Sequence, residues 1–343
     1  MKILAIDTSC DETAAAIVDG RKVLSNVIYS QILIHKKWGG VVPSLAKRAH
    51  EERIDLVVNE CLKKSKIQDL RSRIDYIAVT AGPGLAVALE VGIKKAKELA
   101  EKYNKKLIAV NHLEGHIYSP FVQNSKGNPK REFKFPYLAL IVSGGHTELV
   151  ILKNHLQYEV IGQAIDDASG EALDKAAKML GLGYPGGPVI ERLANSVGNK
   201  DFYGFPRPMI KSKDLKFSFS GLKTSFYYYI NKLKPEEKVS RVKELVSSFQ
   251  EAVFDTIVKK TDRAITQTGI NRLVVGGGVA ANLYLRKKLR KLVKKHKGEV
   301  IFPPFQYLTG DNAAMIGVAA FYKAQKKIFA DAQTLDRQPR MIL

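Results

Sequence analysis

One figure occurs twice in this chain of 343 residues and limits its fold more than any other feature: an apolar strand, a tight turn of small and polar residues, and a returning strand. The first copy runs from Ile3 to Asp7, through Thr8-Ser9-Cys10-Asp11-Glu12-Thr13, into Ala14 to Val18. The second runs from Leu138 to Val142, through Ser143-Gly144-Gly145-His146-Thr147, into Glu148 to Leu152. Each reads as a β-hairpin, because extended apolar runs flank residues that tolerate a reversal. Each opens a half of similar length, so the sequence predicts a duplicated α/β architecture. The length suits two domains of ordinary size, and a content of 45% hydrophobic and 26% charged residues is that of a folded chain.

Between the hairpins, apolar positions at three- and four-residue spacing predict a helix over Val42 to Lys64. A strand over Tyr76 to Thr80 leads into Ala81-Gly82-Pro83-Gly84, then a helix to about Tyr103 and a strand over Lys106 to Val110. The polar stretch Gln123 to Lys134 marks the expected crossing between domains. A largely helical region follows from about Asp174 to Thr268, then a strand over Arg272 to Val275 and a helix over Ala280 to Lys295. The expected division is an N-terminal lobe over 1–125, a C-terminal lobe with helical insertions over 135–330, and a tail without periodicity over 331–343. Paired hairpins of this kind resemble the actin/hexokinase/Hsp70 class, in which two phosphate-binding hairpins face one cleft.

Lysine and arginine total 55 against 34 aspartate and glutamate, a formal charge of +21. Such an excess points to a polyanionic partner, nucleic acid before an anionic membrane surface, although a Lys-rich proteome would also produce it. The helix from Asn282 concentrates this charge in Arg286, Lys287, Lys288, Arg290, Lys291, Lys294, Lys295 and Lys297 without an acid, which suits phosphate contacts or an acidic partner. Cys10 and Cys61 are too few for a disulfide framework or a cysteine zinc site, so a reducing cytoplasm is expected. No apolar run approaches the ~20 residues that span a bilayer.

Four segments could carry chemistry. In Asn111-His112-Leu113-Glu114-Gly115-His116 the two imidazoles fall on one helical face, the arrangement for two ligands to one metal. A zincin would need glutamate directly after the first histidine, and Leu113 stands there. Asp311, in Thr309-Gly310-Asp311-Asn312, is the candidate third ligand and the expected N-cap of an Ala-rich helix; capping alone would also explain it. Gly276-Gly277-Gly278 ends a strand and opens a helix, where backbone N–H groups and the helix N-terminus favour an anion. It matches neither GxGxxG nor a P-loop. The run Asp166 to Lys175 places four carboxylates ahead of a Gly-rich loop, which suits a hydroxylated ligand or a solvated helix face.

Together these segments resemble the TsaD/Gcp family of tRNA N6-adenosine threonylcarbamoyltransferases. The matching stretches, in order, are DTSCDETAAA (7–16), GGVVPSLAKRAH (39–50), GPGLAVAL (82–89), VNHLEGH (110–116), IVSGGHTEL (141–149), DDASGEALDKAAKMLGLGYPGGP (166–188), KFSFSGLKTS (216–225), GGGVAANLYLR (276–286) and TGDNAAMIG (309–317). SGGHTEL is the bacterial type of the second hairpin. The resemblance implies a duplicated actin-like (ASKHA) α/β fold, two lobes around a central cleft, with one divalent metal, iron or zinc, held by His112, His116 and Asp311. It implies L-threonylcarbamoyl-adenylate as substrate, at the positions matched by Ile141, Val142, Ser143, Gly144, Gly145, Asp174, Gly187 and Asn282, and ATP or ADP as further occupants of the cleft. The family transfers the threonylcarbamoyl group to N6 of the adenosine 3′ to the anticodon in tRNAs reading codons that begin with A, releasing AMP. Bacterial members work with TsaB-like and TsaE-like partners, and the mitochondrial branch as a homodimer. The chain departs from the family pattern at Thr309-Gly310-Asp311, usually Cys-Thr-Asp, at Asp7, usually Glu, and at Ala86-Val87, usually Val-Gly.

For acyl transfer from a mixed anhydride to a weakly nucleophilic amine, a His/His/Asp metal would act as Lewis acid and glycine turns would hold phosphate. No nucleophile–base pair is evident, so direct transfer is expected, with Asp11 and Glu12 assisting the proton. An actin-like kinase would leave His112 and His116 unexplained, because that chemistry uses carboxylates with Mg²⁺. A non-catalytic tRNA scaffold would leave the retained ligand set unexplained.

Overall fold

The computed structural model describes residues 1–67 and 73–343. By internal packing the chain divides into two units, each built on a five-stranded sheet. Unit 1 contains Met1–Lys134, Asn154–Gln157 and Phe302–Leu343; unit 2 contains Phe135–Lys153 and Tyr158–Ile301.

The sheet of unit 1 consists of β1 (Lys2–Asp7), β2 (Glu12–Asp19), β3 (Lys22–Ser30), β4 (Tyr76–Gly82) and β5 (Lys106–Asn111), in the order β3-β2-β1-β4-β5. β1 pairs antiparallel with β2 and parallel with β4, which is parallel to β5. Unit 2 repeats the plan with β6 (Tyr137–Val142), β7 (Thr147–Asn154), β8 (Gln157–Gln163), β9 (Arg272–Gly276) and β10 (Glu299–Ile301), ordered β8-β7-β6-β9-β10. In chain order both sheets therefore read third, second, first, fourth, fifth, which is the duplication expected from the paired hairpins. The central strands β1 and β6 are buried almost throughout, so both read as continuous apolar runs. The edge strands β3 and β8 were not among the sequence expectations; β3 alternates buried and part-exposed residues and carries that signal weakly.

The helices are α1 (Ile32–His35), α2 (Pro43–Lys64), α3 (Ala86–Tyr103) and α4 (His112–Tyr118) in the first stretch of unit 1. Unit 2 carries α5 (Ser169–Met179), α6 (Gly186–Ser196), α7 (Ser220–Asn231), α8 (Pro235–Thr268) and α9 (Leu283–Lys295). The last helix, α10 (Ala313–Gln325), belongs to unit 1. It is buried on nearly all sides, and Gly317 is what lets it lie on β2, since a Cβ there would meet Val18 at 2.8 Å.

The chain leaves unit 1 between Lys134 and Phe135, at the end of the polar stretch, but the division at 330 does not coincide with the packing. Residues 302–343 as a whole pack with unit 1, and 331–343 form an ordered strap. Gln338 N donates to Ala81 O at 2.8 Å, Asn111 Nδ2 donates to Ile342 O at 3.1 Å, and Arg337 pairs with Glu90 at 2.9 Å. Gly82 makes this possible, because any Cβ there would collide with the Gln338 carbonyl. Asn154–Gln157 join unit 1 because His155 stacks on Tyr322, with ring centroids 3.8 Å apart, and on Tyr118. Among the described residues, no helix is long and apolar enough to cross a membrane.

Candidate metal centre and glycine cradle

The parallel strands β1, β4 and β5 end side by side, and the polar residues of unit 1 gather at those ends. β5 runs directly into α4 at Asn111, whose Oδ1 accepts the Leu113 N–H at 2.8 Å while Glu114 reaches back to the Asn111 N–H at 3.1 Å. This capping box starts the helix abruptly, so His112 and His116 occupy its first and second turns on one face. Glu114 stays off that face; beyond its cap contact it pairs with Lys323 at 2.8 Å. Gly115, between the two histidines, lets α10 approach, since a Cβ there would meet Ile316 at 2.9 Å.

Asp311 arrives on the loop before α10. It does not cap that helix: Asn312 does, its Oδ1 accepting from Met315 N at 3.0 Å. The asparagine side chain folds over the helix end, which leaves the preceding carboxylate to turn toward the imidazoles. Asp311 Oδ1 lies 3.3 Å from His112 Nε2 and 3.4 Å from His116 Nε2. The two rings stand nearly edge to face, 4.6 Å apart. His112 is buried, His116 wholly so, and among the described residues neither ring nitrogen of His116 has a well-formed hydrogen bond.

These residues fit a metal ion. Donors bound at about 2.0–2.2 Å around a tetrahedral ion lie roughly 3.3–3.6 Å apart, the separation seen here, and the three ligand atoms all fall within 4.8 Å of one another. The electrostatics point the same way. Burial pushes His112 toward its neutral form, but Asp311 and Asp7 more than offset this and bring its pKa up to about 9. Burial dominates at His116 and lowers its pKa. Burial also raises the carboxyl of Asp311, yet the imidazoles hold it well below the usual carboxylate range. A half-buried carboxylate flanked by two buried imidazoles is a site that a cation completes.

Asp11 and Glu12 lie at the start of β2 in the same unit. Asp11 is buried, and its carbonyl accepts the Gln31 N–H at 2.9 Å. The carboxyl of Glu12 is pushed well up by burial and by the nearby charges of Asp11 and Asp311. A cation in the trio would oppose that shift.

The other candidates gather in unit 2. Ile141 and Val142 end β6, and Ser143 closes the hairpin turn, its N–H donating to His146 O at 2.8 Å and its Oγ accepting the His146 N–H at 3.1 Å. Gly277 lies directly against this turn at φ +96°, where a Cβ would come within 2.3 Å of Val142 O; Gly170 approaches Ser143 O equally closely, at 2.5 Å. Gly144, Gly145, Gly187 and Gly278 face open space. Glycine thus serves two purposes: close packing that assembles the turns, and bare backbone on their open side. Asp174 Oδ1 accepts the N–H groups of Gly186 and Gly187, at 2.7 and 3.2 Å, and so caps α6 from a neighbouring helix. Asn282 marks a boundary that differs from expectation. Gly278 to Ala281 form a separate 3-10 turn, and α9 starts only at Leu283, with Asn282 as its cap. The Asn282 side chain accepts from Leu285 N at 3.0 Å and donates to Gln250 at 3.0 Å.

Reasoning from sequence gave no role to Ser9, Thr80 or His50. His50 is buried, 2.7 Å from Thr13 Oγ1 and 3.1 Å from Cys10 O, and steadies the first hairpin. The signal for Asp7 and Thr80 is a polar residue at or near the end of an otherwise apolar strand.

The duplicated sheets and the His/His/Asp cluster define an actin-fold protein whose candidate metal site includes imidazole. An activator of 2-hydroxyisocaproyl-CoA dehydratase from Clostridium difficile, solved with bound ADPNP, shares this fold: TM-score 0.53, 14% identity, 96% of this chain and 99% of that one covered. The sequence pattern of TsaD, tRNA N6-adenosine threonylcarbamoyltransferase, matches residues 22–318, and the chain belongs to that family of tRNA-modifying transferases. The enzyme of this description from Thermosipho africanus is 46% identical over 341 residues, 99% of each chain. That from Endomicrobium trichonymphae is 48% identical over 329 residues, 95% of this chain and 93% of its own.

Proposed function

We propose that this transferase moves the threonylcarbamoyl group from L-threonylcarbamoyl-adenylate to N6 of the adenosine 3′ to the anticodon, in tRNAs that read codons beginning with A. The amine nitrogen forms a bond to the carbamoyl carbon, the bond from that carbon to the phosphate oxygen breaks, and AMP leaves with the electron pair. The observation that carries this reading is the donor trio in unit 1, two buried imidazole Nε2 atoms within 3.4 Å of one carboxylate oxygen, in a chain of this family.

His112, His116 and Asp311 would hold one divalent metal, iron or zinc. When bound, that ion supplies Lewis-acid polarisation and neutralises charge on the anhydride. Asp11 and Glu12 are assigned the proton lost from the amine, with Glu12 or Asp11 as acceptor in its ionised form. In unit 2 the backbone of Ile141 to Gly145, with Gly187, would cradle the adenylate phosphate, because the open glycines of these turns let an anion approach the main chain closely. Asp174 and Asn282 support this cradle by fixing the starts of α6 and α9. ATP or ADP would share the adenylate's site.

The exposed stripe Lys287, Arg290, Lys291 and Lys294 on α9 is assigned to the tRNA backbone. Leu285, Leu289, Leu292 and Val293 anchor the helix on its opposite face. TsaB-like and TsaE-like proteins are the partners proposed for a bacterial-type member, a homodimer being the alternative, and the cytoplasm is the compartment.

The test is transfer of labelled threonylcarbamate from its adenylate to an unmodified tRNA, comparing the parent chain with His116→Ala, with and without candidate partners. Metal-dependent product lost in the variant supports the reading, and product without partners favours the homodimer. tRNA binding without product under any condition overturns it.

A further inference from the structure

Beside the trio, and among the described residues, four buried polar atoms without a well-formed hydrogen bond collect near the ends of adjacent strands: Asp7 Oδ2, Ser9 Oγ, Thr80 Oγ1 and His112 Nδ1. The sheet register brings them there. β1 pairs with β4 up to Ile6 and Val79, so Asp7 and Thr80 are the next residues on two adjacent strands, and β5 delivers His112 next to them. His112 turns Nε2 toward Asp311 and Nδ1 toward Asp7, whose Oδ2 lies 3.7 Å away. The two carboxylates therefore stand on opposite sides of one imidazole.

A metal-binding imidazole commonly donates its second N–H to a carboxylate, which fixes the tautomer, aims the ring and raises its basicity. A direct charge-assisted bond is about 2.7–2.9 Å long, so a shift of less than about 1 Å in the ring or carboxyl would close this one. The other oxygen of Asp7 is already used: Oδ1 accepts the Ser9 N–H at 3.2 Å and holds the hairpin turn. That structural task needs only a neutral acceptor. The buried second oxygen, 3.7 Å from the His112 Nδ1 with the Thr80 and Ser9 hydroxyls beside the carboxyl, is not explained by it.

We propose that Asp7 is a positioning residue for His112: its carboxylate accepts the Nδ1–H, holds the Nε2 lone pair toward the ion and thereby sets metal affinity. This rests on the reading of His112, His116 and Asp311 as the ligand set. Asp7 touches neither substrate nor metal in this scheme.

The experiment measures Zn²⁺ affinity of the full chain by competition with a chromogenic chelator, and the visible absorption of the Co²⁺-loaded protein, for the parent and Asp7→Asn. Asparagine keeps the acceptor for Ser9 N–H and removes the charge. The expected result is affinity about 10–100-fold weaker and a displaced Co²⁺ band. Asp7→Glu and Asp7→Gln form a second pair, matched in size and different in charge, for the case in which Asp7→Asn unfolds. Glutamate should bind the ion more tightly than glutamine. Parent-like affinity and spectrum in Asp7→Asn, or equal affinities in the second pair, would overturn the role of Asp7 alone. A parent chain that binds no metal would overturn the ligand set and this inference together.

Discussion

In unit 1 the turn after the first strand carries Asp11 and Glu12, and a histidine-bearing helix follows the fifth strand. In unit 2 the corresponding turn is Ser143-Gly144-Gly145, and a three-glycine turn follows the fourth strand. The same sheet order thus supports a charged, buried cluster in one unit and an open, nearly side-chain-free backbone in the other. A buried carboxylate with imidazoles attracts a cation; bare N–H groups attract an anion. Duplication supplies the two frames, and the residues at the strand ends give each frame its own charge character.

Substitutions can sharpen or break this contrast. Asp311→Asn keeps the volume of the unit 1 cluster and removes its charge. Transfer should fall by about three orders of magnitude, since a Lewis acid contributes several kcal/mol, and added metal should not restore it. A rate near that of the parent would mean the charged cluster is not the reactive half.

In unit 2 the matching lesion is steric. Gly277→Ala forces a side chain into φ +96° and against the Val142 carbonyl, which should cost about 1–3 kcal/mol or more in thermal or denaturant unfolding. Gly144→Ala enters open space, so its stability should stay within about 0.5 kcal/mol of the parent while its KM for the adenylate rises. An unchanged KM would remove the anion from unit 2. Replacing Lys287, Lys291 and Lys294 by alanine should weaken tRNA binding across sequences and reduce the slope of log Kd against log salt by about two to three. An unchanged slope would move the tRNA contact elsewhere.

The smallest expected effect concerns pH, and it falls on unit 1. Burial, with Lys326 and Arg21 nearby, brings the pKa of His155 down to about 4. The unfolded chain therefore takes up the proton first, at its ordinary value near 6.5. The stability that the neutral ring contributes is complete above about 6.5 and is lost as pH falls toward about 4. His155→Phe should make acid unfolding shallower over that interval; an unaltered acid profile would show that the stack on Tyr322 does not report on unit 1.

Much of this contrast was legible in the residues themselves. Both hairpins lie where the apolar runs and small turns placed them, and the spacing of His112 and His116 anticipates their shared face. Three features resisted, each for a physical reason. The return of 302–343 to unit 1 depends on long-range packing, which local periodicity does not encode, although the apolar run of α10 shows that it needs a core. Capping by Asn312 rather than Asp311 turns on a one-residue boundary between two residues with similar capping preference. The cluster of Asp7, Ser9 and Thr80 exists only because adjacent strands bring them together, and neighbours separated by some seventy residues share no local pattern.

The return of the C-terminal segment also sets a timetable for biosynthesis. The ribosome delivers His112 and His116 about 200 residues before Asp311, an interval of roughly 10–40 s at ordinary elongation rates. Throughout it the nascent chain carries two imidazoles without their carboxylate and a sheet without its last helix. Any metal held by the complete trio would accordingly arrive late, with the packing of the C-terminal segment onto unit 1 rather than with the folding of its first strands.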